Sequence, residues 1–194
     1  MSKTDTKTKI LEAGAEIIHE KGFNNTGINE VLKAAGVPKG SFYFYFQSKD
    51  DFGLALIDHY VLTLQSAYRK GGISGASSPD QRLFGVFDSL EQMMEQTGYR
   101  RGCPIGNLVQ EMSDLSEAFR EKLSGVFAQF ENFLLACLED GIRAGVFRKL
   151  SSPEETAGFI LNSFEGTIMR AKLAKSGEPF RILRKNLEEL LKEK

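Results

Sequence analysis

Two groups of residues in this chain have the types and spacing to do chemistry. The first is the thiol of Cys103, which follows Arg100-Arg101-Gly102 and stands directly before Pro104. Pro104 reads as a first-turn helix residue, so Cys103 falls at the cap position. There, unpaired backbone N–H groups, the positive end of the helix dipole and two guanidinium groups favour thiolate. Thiolate is the form that attacks electrophiles and oxidants. The competing reading makes Cys103 a small buried residue with no chemistry. Lys172, in an otherwise apolar stretch beside Met169, Ala171 and Leu173, either approaches that thiol or extends its amine to the surface. The second group is Lys39, Gly40, Ser41, Tyr43, Tyr45 and Lys49, with Thr26 ahead of them. Short and aromatic donors gathered on one helical stretch suit phosphates and base edges in a major groove.

Other chemistry finds little support. Cys103 and Cys137 lie far apart in a chain with only two histidines, His19 and His59, so neither a disulfide framework nor a metal site is expected. Cys137 falls in an apolar helical stripe and reads as core. No catalytic constellation accompanies Cys103, so a thiol-dependent enzyme is a remote alternative and no cofactor is implied. The 194 residues, 41% hydrophobic and 26% charged, allow one or two globular domains with a sizeable core. No apolar run approaches the roughly 20 residues that span a bilayer, and the first residues lack a signal-peptide core, so the expected location is the cytoplasm, away from membranes. A net charge of −1 argues against indiscriminate nucleic-acid binding. Residues 1–49 hold seven Lys against five Asp or Glu. DNA affinity would therefore come from placed contacts, duplicated in a dimer, and not from bulk charge.

The elements that must position these residues are helical. Ile10, Leu11, Gly14, Ile17 and Ile18 make one helix ending at Lys21-Gly22. Thr26 reads as the N-cap of a short second helix whose apolar face is Ile28, Val31, Leu32 and Ala35, stopped by Gly36. Pro38 can open a third, and the small Ala34-Ala35 pair lets the two cross closely, which is a helix-turn-helix. Ser48 with Asp51 resembles a capping box for a long helix running to about Lys70.

Residues 71–77 are a breaker segment. Ser78-Pro79-Asp80-Gln81 starts a helix to about Thr97, Cys103-Pro104 starts another, and Glu117 to Gly145 keeps a 3.6-residue rhythm. Ser152-Pro153-Glu154-Glu155 opens the next helix. After Pro179 a last stripe presents Phe180, Leu183, Leu187 and Leu190. The expected fold is all-α, about nine helices with no sheet.

Gly22-Phe23, Thr26, the run Ala34-Ala35-Gly36-Val37-Pro38-Lys39-Gly40-Ser41-Phe42-Tyr43 and the run Phe46-Gln47-Ser48-Lys49-Asp50-Asp51-Phe52 closely resemble the DNA-binding domain of TetR-family transcriptional regulators. Two departures stand out: Phe44 sits where Tyr or Trp is frequent, and Tyr45 where His is. Phe44 cannot donate, so Tyr43, Tyr45 and Lys49 would carry more of the phosphate anchoring. The resemblance implies a helix-turn-helix domain over residues 1–48 and an effector-sensing and dimerisation domain over 49–194. It also implies a homodimer formed by the last two helices, for which Phe164, Ile168, Leu183 and Leu187 are the expected interface residues. Gly102-Cys103-Pro104-Ile105-Gly106-Asn107-Leu108, with Asp114 to Arg120 after it, resembles the sensor domain of a subgroup that includes NemR-type electrophile sensors. In that subgroup the matching position to Cys103 is the sensing thiol.

The reading is a regulator, most simply a repressor, of a palindromic double-stranded DNA operator. An electrophile or oxidant acting at Cys103 would release it. Alternatively the effector is a small molecule held without a covalent bond by the helix from Phe119 to Phe147, with Cys103 structural. A helical interaction protein that has lost DNA binding is a further alternative.

Overall fold

Helical spacing of apolar residues builds every element, and a computed structural model describing residues 3–70 and 77–192 contains nine α-helices and no strand among them. These are α1 (Lys3–Lys21), α2 (Ile28–Ala35), α3 (Gly40–Tyr45), α4 (Lys49–Lys70), α5 (Pro79–Gln96), α6 (Pro104–Met112), α7 (Glu117–Arg143), α8 (Pro153–Ala174) and α9 (Glu178–Leu191). The breaker expected at 71–77 lies, through residue 76, outside the described residues. No helix among those described is long and apolar enough to cross a membrane.

The chain forms two compact units. The first comprises Met1–Leu64 and Pro104–Ser124; the second comprises Gln65–Cys103 and Gly125–Lys194. With α2 and α3 short, the first three helices offer too little surface to enclose a core, and the first unit also contains the start of α4, all of α6 and the start of α7. Its centre is aromatic: Phe42 lies 5.3 Å from Phe46 and 5.6 Å from Phe52 between ring centroids, and Phe23 lies 5.2 Å from Phe119. All five rings are buried, and each such pair adds about 0.5–1.5 kcal/mol beyond its burial.

Two local expectations need correction. Gly27, not Thr26, is the N-cap of α2. Thr26 is only 2% exposed and its hydroxyl donates to the Gly22 carbonyl at 2.7 Å, so it serves the turn between α1 and α2. The third helix begins at Gly40, two residues beyond Pro38, whose carbonyl accepts the Ser41 N–H at 2.9 Å. The expected caps hold elsewhere. Asp51 N–H donates to Ser48 Oγ at 3.0 Å, Ser78 N–H to Gln81 Oε1 at 3.0 Å, and Glu155 N–H to Ser152 Oγ at 3.1 Å.

In the second unit, α8 and α9 pack through the residues expected at a dimer interface. Phe164, Ile168, Leu183 and Leu187 are all buried within one chain, with the Phe164 ring 4.6 Å from that of Phe87 and 6.2 Å from that of Phe180. The stripe spacing was right; its partner is the chain's own core, because a two-helix layer must cover its inner face before it can offer an outer one. The large apolar side chains that α8 and α9 leave exposed are Phe159, Met169, Leu173 and Ile182.

Candidate DNA-reading head and thiol site

The reading head is built by splitting one aromatic run across a helix of six residues. Phe42 and Phe46 turn inward, while Lys39, Gly40, Tyr43 and Phe44 face outward, Tyr43 and Phe44 at 62% and 63% exposure. Ser41 and Tyr45 are partly exposed. The inward pair anchors α3 to the core, so the outward residues are presented on a short helix whose geometry tertiary packing supplies. This outward surface combines hydroxyls, backbone and one lysine, the chemistry that meets phosphates and base edges, with the exposed Phe44 ring. Lys49 is more committed than expected: its Nζ donates to the Asn24 carbonyl at 3.3 Å and lies 4.8 Å over the Phe23 ring. Thr26, turned inward, offers no side chain to this surface.

A carboxylate clasp holds the turn that precedes α2. Glu111, near the end of α6, accepts the N–H of Phe23 at 2.7 Å and of Asn24 at 2.5 Å. Gly22 makes the approach possible. Its φ of +87° suits glycine, and a methyl there would lie 2.9 Å from Glu111 Oε2. Sequence reasoning missed Glu111, since a lone glutamate on a short helix gives no signal of a partner 88 residues away.

Cys103 immediately precedes α6 and is 5% exposed. Its surroundings differ from expectation in one respect. Alongside Arg100 and Arg101 in sequence, the structure brings a carboxyl: the Cys103 thiol hydrogen-bonds to Glu165 of α8. Burial pushes the Glu165 carboxyl above its ordinary range, and the bond from Cys103 draws it part of the way back. Lys172 belongs to the same stripe. Gly102, with φ of +92°, lies against α8: a methyl there would make ordinary contact, 3.4 Å from Ile168 Cγ2 and 3.7 Å from Lys172 Cδ. Lys172 thus passes beside the residue preceding the thiol and is itself half-buried. The segment entering Cys103 is held by Lys175 Nζ, which donates to the Tyr99 carbonyl at 3.1 Å.

Cys137 is the counter-case. It is fully buried, and burial pushes its thiol up to about 11, with Asp140 adding to the rise and Arg82 opposing it. It is an inert core thiol. Nearby, Arg82 pairs with Asp140 at 2.6 Å, and the Tyr68 hydroxyl donates to the Arg82 carbonyl at 2.9 Å, which ties α4, α5 and α7 together. Among the described residues no cluster of His, Cys, Asp and Glu could hold a metal ion.

Residues 10–56 match the model of the bacterial regulatory proteins of the tetR family, and residues 79–187 match that of the tetracyclin repressor-like C-terminal domain. The chain belongs to the TetR family. It is 38% identical over 170 residues to the transcriptional regulator AcuR of Cereibacter sphaeroides, covering 88% of this chain and 78% of AcuR. It is 30% identical over 179 residues to the HTH-type transcriptional repressor NemR of Escherichia coli K12, covering 90% of this chain and 88% of NemR. Among solved structures, the regulatory protein TetR from Rhodobacter sphaeroides superposes with a TM-score of 0.86 at 34% identity, over 95% of this chain and 98% of that one. The reduced form of E. coli NemR gives 0.84 at 28% identity, over 96% and 98%. This TetR-family protein is therefore a DNA-binding transcriptional regulator, and its all-helical architecture is that of its relatives.

Proposed function

We propose that this regulator is a homodimeric repressor that leaves a palindromic operator when Cys103 is modified by an electrophile or oxidant. Lys39, Gly40, Ser41, Tyr43 and Tyr45 meet the DNA, with Lys49 bracing the domain behind them. The two copies pair through the outer faces of α8 and α9, where Phe159, Met169, Leu173 and Ile182 are exposed. One short recognition helix reads too few base pairs to be specific alone, so pairing is required for operator choice.

The observation that carries the sensing reading is the path from thiol to turn. Cys103 is joined by its peptide bond to Pro104, the first residue of α6, and Glu111 of the same helix clasps Phe23 and Asn24 ahead of the helix-turn-helix. A group added to a thiol that is 5% exposed must displace its surroundings. Any shift of α6 loads the Glu111 clasp. A coupling of about 1–3 kcal/mol between the two states lowers operator affinity by roughly 5- to 150-fold. The relative NemR is a repressor whose solved structure is of a reduced form, which supports this reading.

The test uses Cys103→Ser and the DNA upstream of the protein's own gene. A gel shift should show release of the wild type by a conjugated aldehyde, a quinone or hypochlorite, and retention of the variant. Full release of the variant would remove the thiol reading in favour of a reversible ligand.

A further inference from the structure

Glu165 has no role in operator contact, in the α6 path or in the exposed face of α8, yet it is the residue to which the Cys103 thiol donates. Its position is systematic. Glu165, Ile168 and Lys172 follow one another at steps of three and four on α8, and the Gly102–Cys103 segment lies against this stripe: Gly102 against Ile168 and Lys172, Cys103 against Glu165. A thiol facing a carboxylate is poorly placed to exist as a free thiolate, because two adjacent like charges oppose each other. The same pair is well placed for the thiol to lose its proton as it reacts.

We infer that Glu165 is the proton acceptor for Cys103, so that the thiol is held protonated at rest and is deprotonated within the site as it attacks. This rests on the thiol-sensing reading and adds the group that makes the thiol reactive. With a conjugated carbonyl compound, Cys103 Sγ forms a bond to the β-carbon while the S–H proton moves to a Glu165 oxygen. The C=C electron pair moves toward the carbonyl to give an enolate. The α-carbon then takes a proton from Glu165, or from water whose hydroxide takes the Glu165 proton, and Glu165 ends as it began. The net change is addition of S–H across C=C, with no oxidant consumed.

The burial that raises the Glu165 carboxyl makes it a better base than an exposed glutamate. Lys172 lies on α8 itself, one turn beyond Ile168, and Arg100 and Arg101 precede the Gly102–Cys103 segment in the chain. The aliphatic stem of Lys172 runs beside this segment, its Cδ 3.7 Å from where a methyl at Gly102 would lie.

The experiment follows alkylation of Cys103 by acrylamide, an uncharged conjugated acceptor, in the full-length protein between about pH 5 and 9, with peptide mapping to separate Cys103 from Cys137. The wild type should keep a shoulder of reactivity below the ordinary thiol range, where a free thiolate would lose about tenfold per pH unit. Glu165→Gln should lose the shoulder and react at least about tenfold more slowly near pH 6, and Glu165→Asp should restore part of it. Equal or faster alkylation of Glu165→Gln across the range, or no alkylation of the wild type at all, would overturn the inference. If the glutamine variant does not fold, the wild-type profile decides: a uniform tenfold slope without a shoulder also overturns it. Operator release is measured on the same samples. Alkylation that follows the predicted profile but leaves the operator bound would count against the sensing reading while leaving the role of Glu165 intact.

Discussion

Replacing Glu111 by Ala removes the one acceptor that holds two backbone N–H groups ahead of the helix-turn-helix, and its cost can be worked from the structure. The Phe23 N–H, 2.7 Å from Oε2, is part-buried, whereas the Asn24 N–H is exposed and recovers a water molecule. A hydrogen bond to a charged acceptor contributes about 1.5–3 kcal/mol when the donor left behind is buried, and about 0.5 kcal/mol where water replaces it. The expected loss is about 2–3 kcal/mol. With a urea dependence of about 2 kcal/mol per M, the unfolding midpoint falls by roughly 1 M.

Operator affinity should fall as well, since the Gly22–Asn24 turn sets where α2 begins. Gly22→Ala provides the cross-check. In the wild type it meets Glu111 as well as the strain of a left-handed backbone, whereas in the Glu111→Ala background the strain of about 1–2 kcal/mol remains alone. Urea unfolding and gel shifts on both single variants and the double variant measure this. A midpoint shift under about 0.3 M for Glu111→Ala, with operator affinity unchanged, would refute the clasp.

Other perturbations probe the remaining parts. Lys39→Ala and Tyr43→Ala change outward-facing side chains, so both should weaken operator binding while thermal stability stays within about 0.5 kcal/mol of the parent. The lysine variant should also flatten the salt dependence by about one counterion per recognition helix, read from gel shifts at several salt concentrations. Leu173→Glu with Met169→Glu places charge on the exposed face of α8 and should yield monomer in analytical ultracentrifugation; an unchanged dimer would move the interface elsewhere. Phe164→Ala, in the core instead, should cost about 3–5 kcal/mol in stability.

The Cys137 thiol, pushed to about 11, stays protonated in the folded chain while the unfolded thiol ionises from 9.0 upward. Its stability contribution is complete below pH 9.0 and is lost as pH rises toward about 11. Urea midpoints across that interval should fall less in Cys137→Ala relative to its own value at neutral pH.

Much of this protein is legible in its residue order because its structure is mostly local. Helical spacing, capping pairs and the Gly36-Val37-Pro38 stop are decided within a few residues, so the helix count, the helix-turn-helix and the place of Cys103 ahead of α6 follow directly. What tertiary structure alone decided is which face of each stripe is covered, and by what. Thr26 turns inward to hold a turn. Phe42 and Phe46 of the aromatic run serve the core while Tyr43 and Phe44 do not. Phe164, Ile168, Leu183 and Leu187 pack inside one chain. Glu111 and Glu165 acquire their roles only when helices distant in sequence bring a backbone turn and a thiol to their carboxyl groups. Periodicity says that a face is apolar; only packing says whose surface covers it, because burial and hydrogen-bond pairing belong to the whole arrangement of helices and not to any one of them.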